Sequence, residues 1–548
     1  MSAINHQNQL TIQNNLRIVS QFTLNDPFSL QIVKEKNELL IKRSHFFKEI
    51  FQRIFCDRRE HLKKLKEVIK DNISILEAAE TSWFLRGDRT YTDLFLAVQK
   101  YNQTVAGTGP IIRHRTLREL APVKISQVAR SHLQNIPDDQ KPHVHQEGWF
   151  WKHNVYHYNE EDTSVHHGLE AIRIFLSTQF ERILSALGIR EYHYFRGNED
   201  IYCSDAPLAS VDVPTSYWIG HATCLMNLPL ITSSGRKMGI QLITDPVEGD
   251  LHPLLYPRMT KPARQIEECP AVHVFLLSHN HLDHYDASTI QKLLAQQPVM
   301  IVPEGDGDKL KRMGFEKVYE NNWWQSTTIT FEQAGETAQL KITAVPSRHW
   351  SGQGICDSHR SAFVGYVIHR PDGDIYFAGD TARLSNAHIQ TLKESFNIRA
   401  MFQPGGPDEV RRDMQSTHQA SVDGLWMHMK LMVKRFYERE GSALSKQQFI
   451  EQAKQLKTLF MHTKTFKLGN LHFDDTDLSV GRVLNALRGR PQHSMKEFER
   501  EVYQELCQLG QQMVFSGEAL TPSDIDRLLK DSVEIPKIGQ RSLLRINP

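Results

Sequence analysis

Ser278-His279-Asn280-His281-Leu282-Asp283-His284 places three imidazoles and a carboxylate in six consecutive positions. The string follows the apolar run Val274-Phe275-Leu276-Leu277, which reads as a buried strand, so the polar cluster is expected in the loop at the strand's end. Alternate residues of an extended chain share one face, so His279 and His281 can grip one ion together. Asp283 and His284 come after the chain has turned and can face a second ion. Imidazole and carboxylate donors without thiolate suit a catalytic Zn²⁺, which keeps one position open for water. A lone histidine or an isolated H-x-H says little. The whole H-x-H-x-D-H string after a β-rich run points to metal.

One loop cannot complete two metal sites, so further ligands must come from later in the chain. His349, Asp380 and His462 each close an apolar stretch: Ile342 to Trp350, Ile375 to Thr381 and Thr458 to Thr463. Taken singly, each reads equally well as a capping aspartate or a histidine satisfied by backbone. Their order in the chain makes them a set.

That set resembles the metallo-β-lactamase-fold hydrolases, and within them is most similar to the N-acyl-phosphatidylethanolamine-hydrolysing phospholipase D group. The matching phrases are Trp218-Ile219-Gly220-His221-Ala222-Thr223, Leu242-Ile243-Thr244-Asp245-Pro246, Ser278 to His284, Pro346-Ser347-Arg348-His349-Trp350 and Phe377-Ala378-Gly379-Asp380-Thr381. They span roughly residues 210 to 490. The resemblance implies that His279, His281 and His349 bind a first zinc. It gives Asp283, His284 and His462 to a second, with Asp380 bridging. Asp245 would orient a ligand histidine, and His418 would be a further active-site histidine, with a surface position at a helix N-terminus as its alternative. His221 would be a supporting residue. Iron or manganese would fit the same donors. Three stretches depart from the family pattern: Thr463-Lys464-Thr465-Phe466, the loop Pro404 to Glu409, and the extra length from Tyr437 to Lys457.

A chain of 548 residues has length for more than one domain. Lys and Arg number 65 against 64 Asp and Glu, so the net charge of +1 exerts no global pull on nucleic acid or anionic membrane. Cys56, Cys203, Cys224, Cys269, Cys356 and Cys507 are scattered without a C-x-x-C pair and read as reduced thiols of a cytoplasmic protein. The start, Met1 to Asn8, lacks the basic-then-apolar plan of a signal peptide, and no apolar run is long enough to span a bilayer.

The expected fold is α/β: an αββα sandwich over 206–490, a mainly helical domain over 1–205 and a helical extension over 491–548. Helical spacing recurs at Phe47, Ile50, Phe51, Ile54, Leu62, Leu65 and Ile69, and again at Leu169, Ile172, Leu176, Phe180, Ile183 and Leu187 before Gly188. Within the sandwich, Val364 to Ile368, the turn Pro371-Asp372-Gly373-Asp374 and Ile375 to Phe377 form a hairpin in sequence terms. Helices are expected at Ala287 to Gln296 and Ile389 to Phe396. Another should open at Thr521 as N-cap with Pro522 at its first position. The aromatic stretch Trp149 to Tyr158 is expected to pack between domains. The methionine-rich segment Leu425 to Phe436 is expected to pack on the sheet, a membrane-lying helix or lid being its alternative. His143, His145, His166 and His167 have no acidic or cysteine partner at ligand spacing and are not expected to form another metal site.

The expected activity is that of a binuclear zinc phosphodiesterase of phospholipase D type, with Asp283, Asp380 and His418 at the reacting centre. Its substrate would be N-acyl-phosphatidylethanolamine or a related glycerophospholipid. A lipid substrate would bring peripheral contact with a membrane. The alternatives on the same fold are a lactonase or esterase and an RNA phosphodiesterase, the last disfavoured by the neutral charge. A third reading, of another class, is a scaffold that binds a protein partner through its N-terminal domain.

Overall fold

The computed structural model describes residues 123–147, 153–158, 213–250, 260–353, 357–405, 417–463 and 497–544, two strands at Leu30–Glu35 and Glu38–Arg43, and a few single positions. The helices expected around Phe47 to Ile69 and Leu169 to Leu187 lie outside the described residues, as do Trp149 to Trp151, His166 and His167.

Two mixed sheets face each other. The seven-stranded sheet runs in the order Val318–Asn321, Val299–Pro303, Val274–Leu276, Lys237–Thr244, Thr223–Ile231, Thr215–Gly220 and Arg541–Leu543. The eight-stranded sheet runs Val533–Glu534, Lys457–Met461, Ile398–Pro404, Asp374–Phe377, Val364–Ile368, Glu336–Pro346, Gln325–Gln333 and Lys124–His132. The expected hairpin is present, with Tyr366 opposite Phe377.

Strand alternation assigns the layers. Trp218, Cys224, Met226, Val274, Leu276 and Ile301 face the second sheet, joining Ile329, Ile342, Tyr366 and Phe377. Their neighbours Tyr217, Ile219, Leu225, Phe275, Met300 and Val302 face outward and are covered by Ile290, Leu293 and Leu310 from the helices at Ala287–Gln291 and Gly307–Arg312 and the segment between them. The outer face of the eight-stranded sheet is covered by the helix Asn386–Ser395 and the helical run from Ser421 to Arg439. The result is the expected αββα sandwich.

The methionine-rich segment is part of this core. Leu425, Met427, Met429, Leu431, Met432 and Val433 are all buried, so it packs on the sheet and has no apolar face left for a lid or membrane. Among the described residues, no helix is long and apolar enough to cross a membrane.

Both ends of the expected hydrolase segment need revision. Lys124–His132 pairs antiparallel with Gln325–Gln333 as an edge strand, so part of the segment expected to be a separate helical domain is built into the sandwich. The described elements before 206 are strands apart from a short 3-10 turn at Asp138–Gln140, and they include a hairpin of His143–Glu147 with His153–His157. At the other end, Thr521 caps the helix Pro522–Ser532 as expected. The chain then continues into Val533–Glu534, which extends the eight-stranded sheet, and Arg541–Leu543, which extends the other. The physical reason is burial: without these pairings, Gln325–Gln333 and Thr215–Gly220 would present unpaired backbone groups at open edges.

Candidate metal centre

The expected ligands and their expected supports converge because each follows the C-terminal end of a strand on the same edge of the sandwich. His221 follows Thr215–Gly220, Asp245 follows Lys237–Thr244 and the 278–284 loop follows Val274–Leu276. His349 follows Glu336–Pro346, Asp380 follows Asp374–Phe377 and His462 follows Lys457–Met461. His221, Asp245 and His462 all hold left-handed backbone, with φ of +54, +36 and +60°. Such conformations are costly for non-glycine residues and cluster at functional sites. Gly379 has φ +61°, and a Cβ there would stand 2.5 Å from the Ser278 Cβ, so glycine lets the Asp380 strand end close on the histidine loop.

The first group is His279, His281 and His349. His281 Nδ1 lies 2.9 Å from His279 Nε2 and 3.1 Å from His349 Nε2. Three ring nitrogens turned on one another suit a shared cation better than mutual hydrogen bonding. The opposite nitrogens show why the lone pairs face inward. His349 Nδ1 donates to the Thr417 carbonyl at 2.8 Å. His279 Nδ1 donates to Ser278 Oγ at 3.0 Å, whose own hydroxyl donates to Asp245 at 2.6 Å. These bonds fix the tautomers. His281 is the exception. Its Nε2 is buried with no hydrogen-bond partner among the described residues, and the Trp350 ring stands against it with centroids 4.1 Å apart.

The second group gathers Asp283, His284, His462 and His221. Asp380 lies between the two groups, with Oδ2 3.2 Å from His284 Nε2 and 3.1 Å from His462 Nε2. Asp245 is fully buried, accepts Ser278 N–H at 2.7 Å and takes His284 Nδ1–H at 2.8 Å, the orienting position expected of it. His418 is buried rather than on the surface, with Nε2 3.4 Å from Asp380 Oδ2 and its ring 4.7 Å from that of His349.

These residues fit a divalent metal on a direct test. His284 Nε2, His462 Nε2 and Asp380 Oδ1 are buried, and none makes a hydrogen bond of acceptable geometry among the described residues. Buried polar atoms are rarely left so without a ligand.

Electrostatics agree. Burial alone would depress His462, but Asp380 and Asp283 outweigh it and raise the imidazole to about 9. Burial would raise Asp380, yet His462 and His284 hold it well below the usual carboxylate range. The folded pKa of His462 thus lies above its unfolded value of ~6.5. Its contribution to the metal-free fold is fully present below that pH and is lost as pH rises through about 9. Chelator-treated protein should therefore lose melting temperature over that window, and saturating Zn²⁺ should flatten the loss. A metal-free melting temperature that stays level across the window would contradict it.

Several contributors carried no sequence signal. The Thr417 carbonyl is backbone. Asn280 joins the loop to the rest of the rim, donating to Asp306 at 2.9 Å and accepting Gly352 N–H at 2.6 Å, and nothing in the spacing marks Asp306 as its partner. Trp350 was visible as the neighbour of His349, but its contact with His281 required the fold.

Residues 241–438 match the beta-lactamase superfamily domain. The mitochondrial N-acyl-phosphatidylethanolamine-hydrolyzing phospholipase D of Saccharomyces cerevisiae is 31% identical over 163 residues, 29% of this chain and 34% of that protein. The N-acyl-phosphatidylethanolamine-hydrolyzing phospholipase D 1 of Caenorhabditis elegans is 27% identical over 215 residues, 37% of this chain and 56% of that protein. Among solved structures, the isothiocyanate hydrolase from Delia radicum gut bacteria aligns at a TM-score of 0.35 and 15% identity, over 60% of this chain and 98% of that one. The chain spans between a third and just over half of the length of these two curated relatives. The matched domain, the sandwich and the ordered histidines and aspartates together support a metallo-β-lactamase-fold hydrolase domain over residues 241–438, similar to the N-acyl-phosphatidylethanolamine-hydrolysing phospholipase D group.

Proposed function

We propose that the chain is a binuclear zinc-dependent phosphodiesterase of phospholipase D type, acting on N-acyl-phosphatidylethanolamine or a related glycerophospholipid. The observation that carries the reading is the pair of adjacent donor groups with Asp380 between them. The related proteins' names supply the substrate class.

His279, His281 and His349 would hold one ion, and Asp283, His284 and His462 the other, with Asp380 shared. When bound, such a pair supplies a water-derived nucleophile at neutral pH and neutralises charge on the substrate's oxygens. The protein's own residues do the rest. Asp245, Ser278 and the Thr417 carbonyl keep the imidazole lone pairs turned inward. Asp283 and Asp380 stay ionised beside their imidazole partners. His418 belongs to neither ligand set and sits against Asp380 and His349, where its Nε2 can hand a proton to the departing alkoxide oxygen. Water's oxygen joins phosphorus, the bond from phosphorus to the alcohol oxygen breaks, that oxygen takes the proton from His418, and the proton released by the water restores His418. The products are phosphatidic acid and an N-acylethanolamine or other alcohol.

The test is mass spectrometry of a mixed phospholipid extract incubated with zinc-loaded protein or with Asp380→Ala. Phosphatidic acid with a matching released headgroup, from wild type only, is the expected result. An unchanged lipid profile with both ions bound would sink the phospholipase reading and favour lactones, other esters or RNA. Elemental analysis of protein purified without added metal identifies the native ion, since the same donors accept iron or manganese.

A further inference from the structure

Each carboxylate of the centre is backed by an imidazole outside the expected ligand sets. His418 stands against Asp380, and His221 stands against Asp283, with Nε2 3.1 Å from Oδ2. We propose that His221 is the positioning residue for Asp283, and that through this hydrogen bond it sets the affinity for the second ion while leaving the first unchanged. This rests on the two-ion reading above.

Asp283 needs a positioning partner. It lies in the turn between Leu282, which is 47% exposed, and the buried His284. Its side chain is 22% exposed, against 1% for Asp380. A carboxylate at the rim of a loop has rotamers to lose on binding, and a donor already in place lowers that cost. Ligating carboxylates are commonly held by such bonds, and losing a supporting partner typically costs ~10–100-fold in metal affinity.

His221 is built to be that fixed donor. The ladder between Thr215–Gly220 and Thr223–Ile231 shifts register after Trp218, and Gly220 at φ +138° and His221 at φ +54° turn the chain sharply there. The His221 carbonyl then accepts two donors, the Trp218 indole N–H at 2.7 Å and the His462 N–H at 3.0 Å. The His221 ring lies on the His462 ring with centroids 3.9 Å apart. The backbone and ring of His221 are therefore tied to one ligand of the second ion, and its Nε2 to another. The group that holds His221 includes none of His279, His281 and His349.

Two variants of the full chain separate the donor from the ring. His221→Phe keeps a ring against His462 and has no N–H, whereas His221→Gln keeps an N–H and has no ring. Each is titrated with Zn²⁺ against a chromophoric chelator, with native mass spectrometry counting the ions. The expected result for His221→Phe is a first ion bound as in wild type and a second bound ~10–100-fold more weakly. His221→Gln should recover most of that loss. Wild-type second-ion affinity in His221→Phe would overturn the proposal. Equal weakening in both variants would also overturn it, in favour of direct ligation by His221 or a purely packing role. Unchanged first-ion affinity reports that each variant is folded. A wild-type protein that takes up only one ion would instead refute the two-ion reading itself.

Discussion

Asp380→Ala is expected to lose the second ion and to lower hydrolysis by about 10³-fold or more, the scale on which catalytic units fail when one member is removed. The reason is the number of groups that depend on one carboxylate. Asp380 Oδ2 lies within 3.4 Å of ring nitrogens from His284, His418 and His462, three histidines on three different loops. Against the lowering effect of burial, Asp380 together with Asp283 holds His284 and His462 above their ordinary pKa. Without Asp380 both rings lose the carboxylate they share, and no carboxylate remains between the two donor groups. The backbone should stay in place, because Ser347 Oγ donates to the Asp380 carbonyl rather than to its side chain. Asp380→Asn should fail nearly as badly, since it keeps the shape and loses the charge. The check is ion counting beside turnover. Wild-type rates in variants verified to hold their metals would refute a metal-centred mechanism.

Deleting residues 1–200 is expected to cost the fold as well as the activity. If that segment were only a targeting or docking domain, turnover of a small soluble diester would survive its removal. The structure predicts otherwise. The deletion takes away Lys124–His132, which pairs with Gln325 to Glu332 of the strand Gln325–Gln333. It also removes Tyr156 and Tyr158, both buried in the main core, and the Gln140 carbonyl that accepts the indole N–H of Trp324. Burying one large side chain contributes ~1.5–3 kcal/mol. Two tyrosines and the exposure of Trp324 therefore approach the whole net stability of an ordinary domain, ~5–15 kcal/mol. The hairpin also supports the site rim. Tyr156 N–H donates to the His359 carbonyl at 2.9 Å, and His359 N–H donates to Ser351 at 2.7 Å, beside Trp350. A truncated protein with a wild-type melting temperature and full turnover would show this coupling to be wrong.

The centre was legible in the sequence because its chemistry is concentrated. Ser278 to His284 carries four expected ligands in one loop, and His349, Asp380 and His462 each end an apolar strand that period-two patterning reveals. The closing strands were not legible. Val533–Glu534 has two residues and Arg541–Leu543 three, too short for any periodicity, and each owes its strand conformation to the edge it pairs with. Lys124–His132 was hidden for another reason. It is exposed along most of its length, so the alternation that marks a half-buried strand is faint. Asp245 and His418 could be placed by resemblance, but the bonds that give them work, to Ser278, His284 and Asp380, join loops far apart in sequence.

The edge strand Lys124–His132 also bears on solubility. The strand beneath it, Gln325–Gln333, reads QSTTITFEQ, with three threonines, an isoleucine, a phenylalanine and a single charge. That is the composition of a segment that pairs readily with copies of itself. Its cover carries Lys124 and Arg130 on the outermost edge, charged residues that discourage further strand addition. A molecule whose sheets have formed before this strand docks would expose a self-complementary edge. Its refolding yield would then fall as protein concentration rises, with the N-terminal strand acting as the chain's own guard against aggregation.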